Sequence, residues 1–130
     1  MALVVVSLCA LAWFAHGLRA LDLEDDGLAA TTRSQQHGHL SAAELSAARK
    51  DFQDARSFSA DQGPLLNEGF LLAANGRRVA AYRVAREVVA EEPENTQAWF
   101  LARLSAPNRR AADAAQRRLE QLSPFFDSGD

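Results

Sequence analysis

An all-helical fold is what this 130-residue chain predicts, and three features say so. Alanine is its commonest residue, and Gly and Pro are sparse and mostly stand at breaks between apolar segments, which favours helix over sheet. From Ser41 to Leu122 the apolar residues recur at spacings of three and four, the period of a helix with one buried face. No run alternates apolar and polar residues as a half-buried strand would.

The chain opens on an apolar run, Ala2 to Leu18, with no Asp, Glu, Lys or Arg, and Arg19 ends it. Its length is the lower edge of what crosses a hydrocarbon core of about 30 Å. Trp13 and His16 sit near one end, where interfacial side chains are expected, and Arg19 has the reach to snorkel. Residues 1–21 therefore read as a transmembrane signal anchor touching the bilayer through residues 2–18. Two other accounts stay open: a cleaved signal peptide, with small-x-small sites at 10–12 and 15–17, and a buried core helix. The run lacks a basic segment before it, and Asp22, Glu24, Asp25 and Asp26 come after Arg19, so charge sets its orientation poorly. N-terminal anchors usually export the domain C-terminal to them, which places the soluble part of this single-pass protein outside the cytoplasm. The one cysteine, Cys9, lies inside the run and allows no disulfide within the chain.

Residues 22–40 are polar, carry Gly27 and Gly38 as breakers, and read as a partly helical stalk or linker. Residues 41–124 form the helical domain, and 125–130 a tail. Ser41 and Glu44 make a capping box, so the first helix of the domain starts near Ala42, carries the stripe Leu45, Ala48, Phe52, Ala55, and dissolves near Ser57. Pro64 suits the first turn of the next, which holds Leu65, Leu66, Phe70, Leu71 and Leu72 and stops at Asn75-Gly76. A third spans Arg78 to Glu91. Pro93 restricts Glu92 to extended backbone and ends it, and Asn95 or Thr96 caps a fourth helix that runs to Ser105. Asn108 caps a fifth, ending near Leu122.

The net charge of -3 and a pI near 5.6 exclude a strongly basic nucleic-acid binder. Asp22, Glu24 and Asp26 with Gly27 have the first spacings of a calcium loop, but its twelfth position is Arg33 where a bidentate Glu is needed. His37 and His39 offer two metal ligands where a structural zinc site takes four. Arg77, Arg78, Arg83 and Arg86, with Arg109, Arg110, Arg117 and Arg118, could make an anion patch, but Glu87, Glu91, Glu92, Asp113 and Glu120 are interleaved and favour a solvated helical face. There is no nucleophile elbow, phosphate loop or paired carboxylate with a reason to sit in a cleft. The reading is a protein without catalysis, cofactor or metal.

Pro93 and Pro124 each come after a helix and stand 31 residues apart, near the roughly 34-residue period of a helical-hairpin repeat. Counted from Gln62, the residues Leu65, Gly69, Leu72, Gly76, Ala81 and Pro93 with Asn95 fall at packing positions, and Trp99 opens the next unit. In these positions the chain resembles the tetratricopeptide repeat family. One good repeat is flanked by two degenerate ones; Arg78 and Ala85 stand where the family has aromatic residues. The resemblance implies a stacked superhelix whose inner face, lined by the first helix of each pair, binds a peptide or a partner helix. Here that face would present Leu66, Phe70, Phe100 and Leu104, either as an open groove or covered by the first helix of the domain or by Pro124 to Phe126. The functional expectation is a membrane-anchored protein–protein interaction adaptor serving a membrane or envelope assembly. A structural protein that associates with copies of itself, or a secreted form, is the alternative.

Overall fold

The computed structural model describes residues 22–34, 36, 38–59 and 61–123, and the described residues are helical with no strand among them. Among the described residues six helices occur in order: α1 over 22–34, α2 Ala42–Phe58, α3 Gly63–Ala74, α4 Arg78–Glu91, α5 Thr96–Ser105 and α6 Arg109–Leu122. None of them is long and apolar enough to cross a membrane. The apolar run Ala2 to Leu18, read as the anchor, lies outside the described residues, as do His37 and the tail.

The expected boundaries rest on visible local chemistry. Ser41 Oγ accepts from the Glu44 amide at 3.3 Å while a Glu44 carboxylate oxygen accepts from the Ser41 amide at 2.9 Å, closing the capping box of α2. Pro64 lies in the first turn of α3. That helix ends in a Schellman motif: Gly76, at φ +72°, donates its amide to the Ala73 carbonyl, and the Arg77 amide reaches Leu72 O at 2.9 Å. Asn95 caps α5 through the Ala98 amide, and Asn108 caps α6 through that of Ala111. Trp99 is braced as well, its indole donating to the Pro93 carbonyl at 2.9 Å.

Consecutive helices pair as antiparallel hairpins. The Gln62 amide meets the Glu91 carboxylate, joining the start of α3 to the end of α4. Residues 22–34, expected as a partly helical stalk, belong to this packing. Gly27, Ala30, Thr31 and Ser34 form the buried side of α1. A Cβ on Gly27 would stand 2.5 Å from the Phe52 ring, and Ala30 joins Leu45, Ala48, Phe52 and Leu71 in one apolar cluster. The polar composition that suggested a linker is the exposed side of an amphipathic helix. On it Asp22 and Asp26 face solvent while Glu24 turns to α3, so no calcium-loop geometry forms.

A second cluster joins α3, α4, α5 and α6 through Leu65, Leu66, Leu72, Ala81, Ala85, Val88, Ala98, Leu101 and Ala115, with Trp99 packed against it. α3 serves both clusters, touching α2, α4 and α5. At the crossing sits Gly69, where an added Cβ would collide with Leu101 and lie 2.8 Å from a Val84 methyl. Gly69→Ala should therefore destabilise the fold by about 1–2 kcal/mol in a chemical denaturation curve, since overpacking outweighs the ~1 kcal/mol gain in helix propensity.

The hydrogen bonds from Ser41, first through its hydroxyl and then its amide, hold the Glu44 carboxyl below its usual pKa. A depressed carboxylate supports the fold above its unfolded-state pKa and withdraws that support as pH falls through the lowered value. Circular dichroism of Glu44→Gln against acidification should accordingly lack the component that the parent chain loses there.

Candidate functional site

Two surfaces stand out. The first is apolar and lies on the first helices of the hairpins. Phe70 of α3 and Phe100 of α5 bring their ring centroids to 6.3 Å at a tilt of 34°, inside the range of a favourable aromatic pair. Phe100 is 36% exposed, and Leu104, one turn further along α5, is 50% exposed. The Arg78 guanidinium, from the start of α4, donates to the Leu104 carbonyl at 3.1 Å and pins the end of α5. Beyond Phe100 the face continues into an open cleft of about 300 Å³ lined by Thr96, Gln97, Phe100, Leu119 and Ser123.

Of the four side chains expected on this face, Phe100 and Leu104 are exposed, while Phe70 pairs with Phe100 and is partly buried against the core. Leu66 is only 3% exposed and belongs to the central cluster, and Phe70, one turn later on the same face, is itself partly buried against that cluster. The packing positions Leu65, Leu72 and Ala81 are buried, Gly69 sits at the helix crossing, Gly76 ends α3, and Pro93 is an exposed turn residue. Sequence reasoning passed over Leu28, which is 40% exposed on α1, beside α3. The Asn67 amide of α3 donates to the Glu24 carboxylate at 2.6 Å, and Leu28 comes one turn after Glu24. The available signal was the spacing of Gly27, Ala30, Thr31 and Ser34, a helical stripe of small residues in a segment read by its polarity.

The second surface is polar and lies between α2 and α4. Glu68 of α3 is 6% exposed, and its Oε1 accepts from Arg49 Nε at 2.8 Å and from Gln53 Nε2 at 3.5 Å. A buried carboxylate needs such partners, because an uncompensated charge there costs several kcal/mol. Arg56 reaches Glu87 at 2.9 Å and bridges α2 to α4.

The eight arginines that could have formed one anion patch are dispersed. Arg77 faces α2, Arg78 binds the end of α5, and Arg109 stands 3.9 Å from Asp113. Among the described residues no group of three or more His, Cys, Asp or Glu is placed to hold a metal ion. No family model, characterised protein or solved structure matches the chain.

Arg49→Ala should lower stability by about 1–3 kcal/mol, by leaving the Glu68 carboxylate buried with only a long contact to Gln53. Lys50→Ala, which removes an exposed pair with Asp54 at 2.5 Å, should change it by less than about 0.5 kcal/mol in the same denaturation experiment.

Proposed function

We propose that the protein is a non-catalytic adaptor of the tetratricopeptide-like kind, which captures an amphipathic helix or apolar peptide segment of another protein on the face made by Phe70, Phe100 and Leu104. One observation carries the reading. The exposed ring of Phe100 meets the partly buried ring of Phe70 on the neighbouring first helix, and the exposed Leu104 extends this face along α5, on helices whose opposite sides are committed to the core. Exposed apolar residues grouped in this way mark an interaction surface more often than scattered ones do. An amphipathic helix would lay its apolar side there by the helix-in-groove mode. The stacked hairpins, the close packing at Gly69 and the turn at Gly76 support the repeat reading. The apolar run at residues 2–18 supports tethering of this adaptor to a bilayer, with its soluble part on the extracytoplasmic side.

The test is capture of the full-length protein from detergent-solubilised membranes beside a Phe100→Asp/Leu104→Asp variant, with circular dichroism of both. These side chains are partly exposed, so the variant should keep its helicity while losing at least tenfold of the co-purifying partner. Equal recovery of the partner by both forms would sink the proposal. So would recovery of copies of the chain alone, which gives the face to self-association.

A further inference from the structure

The polar surface between α2 and α4 encloses a cleft of about 420 Å³. Its walls come from three successive turns of α2, through Ala42, Leu45, Ser46, Arg49, Lys50 and Gln53, and from Arg77 and Ala80 opposite. Leu72 of α3 lies between them, and with Leu45 it forms an apolar floor. Three cations line this cleft and no acid does. At a rise of 1.5 Å per residue the α2 wall is about 16 Å long, the span of roughly five residues of extended peptide.

Three features make this an arrangement that binds and distinguish it from an ordinary solvated gap. Arg49 is bonded to buried Glu68 through Nε, so the guanidinium is held in a fixed orientation while both Nη groups stay available as a pair of donors. Gln53, one turn on, is drawn to the same carboxylate oxygen and completes a fixed wall. Arg77, across the cleft, has no side-chain partner among the described residues, whereas the charges of Arg49 and Lys50 are matched by Glu68 and Asp54. One unneutralised guanidinium thus faces one pre-oriented guanidinium over an apolar floor.

We propose that this cleft binds an acidic peptide segment in extended form, its carboxylates paired with Arg49 and Arg77 and its small apolar side chains resting on Leu45 and Leu72. The elongated shape favours a peptide over a compact anion, and the charge of the lining selects acidic over basic sequence. The Arg56–Glu87 ion pair, about one turn beyond Gln53, links the same two helices outside the cleft. The site is separate from the aromatic face, since none of Phe70, Phe100 and Leu104 lines it.

The experiment uses the full-length protein in non-ionic detergent and a fluorescein-labelled heptapeptide alternating glutamate with alanine and leucine, read by fluorescence anisotropy. Saturable binding that weakens with added salt is expected, with no comparable binding of the same peptide carrying lysine for glutamate. Arg77→Gln should weaken binding roughly tenfold, the loss of one charge-assisted contact, and Arg77→Lys should restore part of it. Arg110→Gln on α6 and Phe100→Asp on the aromatic face should leave it unchanged. Because Arg77 bonds no neighbour through its side chain, its replacement leaves the fold intact, which a thermal melt verifies. Absence of saturable binding, equal binding of the lysine peptide, or an effect of Arg110→Gln as large as that of Arg77→Gln would each overturn the site; a loss on Phe100→Asp would overturn it too, by moving the peptide to the aromatic face.

Discussion

The approach of α3 to its neighbours at Gly69 is the constraint on which the arrangement depends. With no side chain at that point, Val84 of α4 and Leu101 of α5 both reach the α3 backbone, and one helix can pack against two others at once. A helix with a methyl group there would hold one neighbour off, and the cluster of Leu65, Leu72, Val88 and Leu101 would open. Gly27 plays the corresponding part for α1, where the Phe52 ring takes the place a Cβ would fill. Glycine inside a helix costs about 1 kcal/mol of propensity, and burial of side chains such as Phe52, Leu71 and Leu101, at roughly 1.5–3 kcal/mol each, more than offsets it.

Tight packing on one side of each helix leaves the remaining sides with distinct characters. The first helices turn Leu28, Phe100 and Leu104 outward, while α2 and the start of α4 bring arginines and a lysine to a cleft over an apolar floor. Glu68 links the two regimes. It is a charged residue at a helix position otherwise occupied by core side chains, and it is tolerated because Arg49 and Gln53 meet it. The same contact that satisfies the carboxylate immobilises the guanidinium above it, so a requirement of burial becomes an orientation of a surface group.

The helices from Ala42 to Leu122 were legible because their ends are chemical. Ser41 with Glu44, Pro64, Asn75-Gly76, Pro93 with Asn95, and Asn108 each start or stop a helix through a hydrogen bond, or its absence, within a few residues. α1 was not legible as a packed helix, since its buried stripe is made of Gly, Ala, Thr and Ser, whose small size matters only once Phe52 is opposite. The aromatic face was partly legible. The repeat resemblance assigns Leu66, Phe70, Phe100 and Leu104 to one face, but Leu66 is buried and Phe70 half-covered while Phe100 and Leu104 stay exposed, an outcome decided by how the neighbouring helices pack.

The sequence by itself determined the all-helical class and the order and nearly all the boundaries of the helices from Ala42 to Leu122, because these rest on backbone hydrogen bonding and local residue geometry. Only the tertiary structure decided that Glu68 is buried, that Arg49 is held by it across 19 residues, and that Arg77 and Arg78, adjacent in the chain, serve different neighbours. Those outcomes depend on how helices distant in sequence lie against one another. Contacts between such helices carry no short-range signal in the residues that make them.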